Sequence, residues 1–237
     1  MTMIAGNLQR VRDRIGAACD AAGRRVQDVT LLAVSKTFGP EAVRQAHAAG
    51  QRAFGENYLQ EGVDKIAAVA AAAPDAQLEW HFIGPIQSNK TRPIAENFAW
   101  VHAIDRLKIA QRLSEQRPAN LSPLNVCLQV NISGEASKSG VSPAQLPDLA
   151  RQVAALSNLR LRGLMAIPEP ESDAAKQHLP FEQVRLLYEQ LQRDGMELDT
   201  LSMGMSGDLA AAIAEGATIV RIGSAIFGAR NYNKEPA

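Results

Sequence analysis

Eight short apolar runs, alternating with helical segments, constrain this chain more than any other feature of its 237 residues. They are Thr30–Ser35, Arg52–Gly55, Glu79–Ile83, Trp100–Ile104, Asn125–Asn131, Leu161–Ile167, Asp199–Met203 and Thr218–Ile222. Most are rich in Val, Ile, Leu, Phe or Trp and are bounded by glycine, proline or polar residues, which is the pattern of buried strands. Strands that alternate with helices form parallel sheets, because a parallel pair needs a long crossover and a helix supplies it. Eight such units in roughly 250 residues match a closed (β/α)8 barrel. An open doubly wound sheet more often has roughly five or six strands and an early glycine-rich turn, and no G-x-G-x-x-G occurs here. The expectation is an α/β fold: one (β/α)8 TIM barrel domain over residues 1–237, with an extra N-terminal helix.

That helix is predicted from Ile4, Leu8, Val11, Ile15 and Ala18, which fall on one stripe. Gly39-Pro40 opens a second helix and Gly50 closes it. Ser142 with Gln145 resembles a capping box ahead of Leu146, Leu149, Val153 and Leu156. Phe181 to Asp194 carries Val184, Leu187 and Leu191 at helical spacing and stops at Gly195. The last predicted helix runs from Asp208 to Glu215, before Gly216. No polar linker marks a second domain, and the tail after Ala229 reads as loose.

Composition removes several function classes. Lys+Arg and Asp+Glu both number 25, so no net field attracts nucleic acid or an acidic membrane surface. The alanine-rich stretch from Ile66 to Ala73 is too short to cross a bilayer. Asp13 and Asp20 interrupt the N-terminal arginines, which argues against a transit peptide. Cys19 and Cys127 are too few for a disulfide framework and read as buried residues in a reducing cytoplasm. The four histidines lack metal-ligand spacing; His81 and His102 read as satisfied core residues. No Ser-His-Asp order supports hydrolase chemistry.

In such a barrel the active site lies at the carboxyl ends of the strands. Those ends carry Ser35-Lys36, Glu56-Asn57, Gly84, Asp105, Asn131, Gly204-Met205-Ser206-Gly207-Asp208 and Arg221-Ile222-Gly223-Ser224. An amine held at a strand end, half out of water, is favoured to lose its proton and can then attack an aldehyde. Lys36 is the lysine so placed. Phosphate sites in these barrels usually follow strands seven and eight. There Ser206, Gly207, Gly223 and Ser224 offer hydroxyls and closely approachable backbone amides, or serve as plain turn glycines and a serine cap. An amine beside a phosphate cradle suggests a phosphorylated aldehyde, either a sugar phosphate or pyridoxal 5'-phosphate. Arg221 fits two roles: an ion pair with Asp208, or a donor to a pyridine nitrogen that leaves it unprotonated. Asn57 either hydrogen-bonds a cofactor or Lys36, or caps the next helix. Lys90 and Lys138 lie farther into loops and read as solvated.

The motifs together carry a resemblance. Ala33-Val34-Ser35-Lys36-Thr37, Phe54-Gly55-Glu56-Asn57-Tyr58, His81-Phe82-Ile83-Gly84 and Gln87-Ser88-Asn89-Lys90 resemble the pyridoxal phosphate homeostasis protein family. Asn131-Ile132, Ser137-Lys138-Ser139-Gly140, Met203-Gly204-Met205-Ser206-Gly207-Asp208 and Arg221-Ile222-Gly223-Ser224-Ala225-Ile226-Phe227-Gly228 extend it along nearly the whole chain. Ser224 stands where the family usually has threonine, which keeps the hydroxyl. The resemblance implies a barrel like that of alanine racemase, with pyridoxal 5'-phosphate held as a Schiff base on Lys36. It implies intracellular vitamin B6 homeostasis, by buffering or delivery to cofactor-dependent apoenzymes, without an established reaction. A monomer suffices for that role.

Three alternatives stay open: an amino-acid racemase, a lysine-dependent aldolase, and a phosphate sensor in which Lys36 never reacts. Racemisation needs acid–base groups on both faces of the substrate carbon. By analogy with alanine racemase, the second face needs a tyrosine from another domain and a partner subunit. The only tyrosines are Tyr58, Tyr188 and Tyr232, and the chain ends about fifteen residues after the eighth run. Efficient turnover is not expected.

Overall fold

All eight predicted strands form, and they close on one another in sequence order. A computed structural model describes residues 2–134 and 139–229. The strands are β1 (Thr30–Val34), β2 (Ala53–Glu56), β3 (Glu79–Phe82), β4 (Trp100–Ile104), β5 (Leu124–Gln129), β6 (Leu159–Met165), β7 (Thr200–Ser202) and β8 (Ile219–Ile222). Every neighbouring pair is parallel, and β8 closes the barrel on β1 through Leu31↔Val220 and Ala33↔Ile222. Around them run α1 (Met3–Ala21), α2 (Pro40–Ala48), α3 (Leu59–Ala72), α4 (Thr91–Asn97), α5 (Leu107–Gln116), α6 (Leu146–Ala154), α7 (Ala174–Arg193), α8 (Leu209–Ala214) and α9 (Ser224–Phe227).

Alternation along the strands separates two apolar regions. Phe54, Phe82, Val101, Val126 and Leu164 belong to the large core between strands and helices. Leu32, Val34, Ala53, Ile83 and Ile219, from β1, β2 and β8 and the end of β3, form a separate small cluster. Alternate strand residues face opposite ways, so this second cluster fills the barrel interior.

Three local expectations need correction. Helix α7 starts at Ala174, seven residues before Phe181, and carries Pro180 inside it. Proline removes one backbone bond. The preceding turn survives because Asp173 Oδ1 accepts the Ala175 N–H at 3.0 Å and buried Phe181 and Val184 anchor the helix. The Ser142 capping box does not form. Its hydroxyl donates to Gln145 Oε1 at 2.9 Å, and its carbonyl accepts the Gln145 and Leu146 N–H groups in a turn ahead of α6. The fifth run is regular over less than its expected length: β5 stops at Gln129, and Val130, whose N–H still donates to Met165 O at 2.9 Å, also bridges Val141.

Helix α1 positions the future site. Its stripe of Ile4, Leu8, Val11, Ile15 and Ala18 is buried throughout. Each large side chain removed from water contributes about 1.5–3 kcal/mol. The same helix holds the loops after β7 and β8: Arg14 Nη2 donates to Ser206 O and Asn7 Nδ2 to Ile226 O, both at 2.8 Å. Among the described residues, no helix is long and apolar enough to cross a membrane.

Candidate functional site

Lys36 sits in a tight turn immediately after β1, half-buried. Ser35 N–H still pairs with Gly55 O at 3.0 Å, and Phe38 N–H closes the turn on Ser35 O at 3.1 Å. Thr37 has φ 69°, the only positive φ at a non-glycine among the described residues. A threonine held there costs about 1–3 kcal/mol, and surrounding bonds must offset it. Thr37 N–H donates to Glu61 Oε1 at 2.6 Å, and its hydroxyl donates to Lys36 O at 2.6 Å.

Beneath the turn lies a buried ion cluster. Lys65 Nζ donates to Ser35 O at 2.8 Å, Glu56 Oε1 at 2.6 Å and Glu61 Oε1 at 2.9 Å. The Ser35 hydroxyl donates to the same Glu56 oxygen at 2.6 Å. The Lys65 and Glu56 side chains are 2% and 0% exposed. Burial pushes the Glu56 carboxyl up from its ordinary value, while the Lys65 ammonium and the Ser35 hydroxyl pull it back. One ammonium thus reaches Ser35 directly and Thr37 through Glu61, fixing the backbone on both sides of Lys36.

Sequence reasoning placed Glu56 at a strand end without a role and missed Glu61 and Lys65. A signal existed. Lys65 shares the buried face of α3 with Gly62 and Val69, and a lysine is almost never fully buried unless paired.

The loops after β7 and β8 reach the same side of the mouth. The Gly223 backbone approaches β1 so closely that an added Cβ would stand 3.1 Å from Val34 O. Phe38 of the lysine turn packs on Phe227 of α9, ring centroids 5.2 Å apart. Helix α9 was not foreseen, being too short to show a period. Ser206 is not a helix cap: α8 starts at Leu209 with no side-chain cap. Asp208 Oδ1 accepts Met205 N–H at 2.6 Å, so Asp208 is a loop brace and not the ion-pair partner of Arg221.

Arg221 is 5% exposed. Its Nη1 donates to Ser202 O at 2.5 Å and Ser202 Oγ at 2.9 Å, and its Nη2 donates to Ala166 O at 2.9 Å. Burial lowers its pKa to about 10, so it stays charged near neutrality. A guanidinium has five N–H groups, so two remain beyond these three bonds.

Asn57 does not cap α3, whose flanking residue is Tyr58. Its Oδ1 is buried without a hydrogen-bond partner. It lines a cavity of about 410 Å³ at the barrel mouth with Ile83, Asn131 and Ile167. Gly84 backs it, since a Cβ there would overlap Asn57 O at 2.0 Å. Lys90 is exposed, and Tyr188 lies on α7 with its hydroxyl donating to Leu198 O at 2.8 Å. Lys138 and Tyr232 lie outside the described residues.

Known proteins share this fold. The sequence model of the alanine racemase N-terminal domain matches residues 7–231. A pyridoxal phosphate homeostasis protein of Pseudomonas aeruginosa is 65% identical over 232 residues, covering 98% of each chain. One from Escherichia coli is 56% identical over 235 residues, 99% of this chain and 100% of the relative. Among solved structures, PipY of Synechococcus elongatus with PLP bound superimposes with a TM-score of 0.80 at 36% identity, covering 95% of this chain and 100% of that one. Alanine racemase from Corynebacterium glutamicum shares the fold at TM-score 0.69 and 18% identity, with 98% of this chain matching 62% of the longer enzyme. With relatives more than half identical from end to end, the chain belongs to the pyridoxal phosphate homeostasis protein family, built on the alanine racemase N-terminal domain.

Proposed function

We propose that this protein binds pyridoxal 5'-phosphate at Lys36 and serves vitamin B6 homeostasis in the cytoplasm, buffering the cofactor or delivering it to dependent apoenzymes. The carrying observation is the junction of the Lys36 turn with the segment after β8, through Gly223 against Val34 and Phe38 against Phe227. Bound there, the cofactor supplies an aldehyde that a neutral amine can attack. The residues present fit it. Ser206, Gly207, Gly223 and Ser224 offer hydroxyls and amides for the phosphate. Arg221 keeps two N–H groups for a ring nitrogen, and the buried Asn57 Oδ1 lacks a donor. Helices α8 and α9 are six and four residues long. Local N–H groups, more than a helix dipole, therefore carry the attraction.

The Ser206 hydroxyl makes no hydrogen bond among the described residues, so its removal leaves the fold intact. Ser206→Ala weakens binding of pyridoxal 5'-phosphate roughly tenfold or more, since a charge-assisted bond contributes about 1.5–3 kcal/mol. Binding of unphosphorylated pyridoxal barely changes. Titration of both ligands checks this, and equal losses would show that Ser206 only shapes the loop.

A carrier is favoured over a racemase on the same barrel. Of the tyrosines that could serve the second substrate face, Tyr188 is tied to an outer helix and Tyr58 stands exposed ahead of α3. The cofactor-loaded protein is expected to show no efficient turnover on a panel of L- and D-amino acids. A rate near about one per second, abolished by Lys36→Ala, would establish an enzyme instead.

A further inference from the structure

His81 and His102 are satisfied core residues, but their partners form one continuous chain through the barrel. Glu79 opens β3 at the face opposite Lys36, with its side chain 49% exposed. Its Oε1 lies 2.9 Å from His81 Nε2. His81 Nδ1 lies 2.9 Å from His102 Nε2. His102 Nδ1 lies 2.8 Å from Ser202 Oγ, which also meets Arg221 Nη1 at 2.9 Å. The register makes the chain climb. His81 pairs with Trp100, setting His102 two residues higher on β4, and Ser202 pairs with Ile219, setting Arg221 two residues higher on β8.

Its direction follows from hydrogen-bond chemistry. A guanidinium only donates, so Ser202 Oγ accepts from Arg221 and gives its single proton to His102 Nδ1. A carboxylate only accepts, so His81 donates from Nε2 to Glu79, leaving His81 Nδ1 to accept from His102 Nε2. Both ends demand the same pattern: two neutral histidines, each protonated at Nε2. Burial lowers the pKa of each ring, and Arg221 opposes a second positive charge at His102. Every donor then points from the buried cation toward the carboxylate. Trp100 stacks on His81 at 5.3 Å and 5°, and Arg162 covers Trp100 at 4.6 Å, holding the first ring in plane. Arg221 has no carboxylate in ion-pair contact among the described residues, and such a polarised chain substitutes for one.

We propose that Glu79, His81, His102 and Ser202 form a positioning relay that fixes the Arg221 guanidinium and sets how strongly it donates at the barrel mouth. The effect on a bound ring rests on the assignment of Arg221 to the pyridine nitrogen. The relay itself is testable without cofactor.

Two arms test it. In the cofactor-free protein, nitrogen-15 spectra at neutral pH show His81 and His102 neutral and protonated at Nε2, and Glu79→Gln shifts the His102 and Arg221 side-chain signals. His47→Gln on α2 shifts neither. In protein loaded with pyridoxal 5'-phosphate, Glu79→Gln and Ser202→Ala displace the visible absorption band in the same direction. The double variant matches Ser202→Ala alone, because a cut chain transmits nothing further. Additive displacements would overturn the relay, as would a Glu79→Gln change silent at His102 and Arg221, or an Nδ1-protonated ring. Should no band form in the wild-type protein, the cofactor assignment fails while the first arm still decides the relay.

Discussion

After borohydride reduction of the cofactor-loaded protein, the pyridoxyl adduct is expected on Lys36, and in Lys36→Ala its yield falls to background. The reasoning is positional. A reactive amine must be neutral, reachable and beside the phosphate loops. Lys65 is excluded, since its three hydrogen bonds go to Ser35, Glu56 and Glu61 and its side chain is 2% exposed. Lys90 is exposed beyond the carboxyl end of β3 and reacts only as any solvated lysine does. Lys36 follows β1, two residues beyond Val34, whose carbonyl the Gly223 backbone approaches. Peptide mass spectrometry reads the outcome directly. An adduct of equal yield on Lys90 or Lys138 in Lys36→Ala would move the attachment site elsewhere and end the present assignment.

Lys65→Met should be the most destabilising change near the site. It removes the ammonium from Glu56, whose side chain is fully buried and whose Oε2 already lacks a partner. Breaking a buried pair in this way costs about 3–5 kcal/mol, a large part of a typical stability of about 5–15 kcal/mol. The loss depends on pH with a definite sign. Burial already raises the Glu56 carboxyl above its unfolded value of 4.5, and without Lys65 it rises further. A group with a raised folded value binds more protons when folded, so stability falls as pH rises through the window above 4.5. The Lys65→Met deficit is therefore largest near neutrality and shrinks on acidification. Urea unfolding at two pH values measures it, and adding Glu56→Gln should restore much of the loss. A deficit under about 1 kcal/mol at pH 7 would mean the pair does not support the Lys36 turn.

What the sequence determined by itself is whatever rests on local pattern. Strand periodicity and flanking glycines placed all eight strands, and strand order followed because each helix returns the chain to the adjacent position. Reading only the carboxyl ends then nominated Lys36, Asn57, the two glycine–serine loops and Arg221 as site candidates, since a barrel mouth is built from those positions. Tertiary structure decided the rest. It chose Ser202 and Ala166, rather than Asp208, as partners of Arg221. It also tied α1 to the loops, through Arg14 to Ser206 and Asn7 to Ile226, 192 and 219 residues apart. The Lys65 cluster and the chain from Glu79 to Arg221 exist only when closure brings separate strands and helices into register. A buried polar group must find its partner wherever the fold puts one, and no local period encodes that distance.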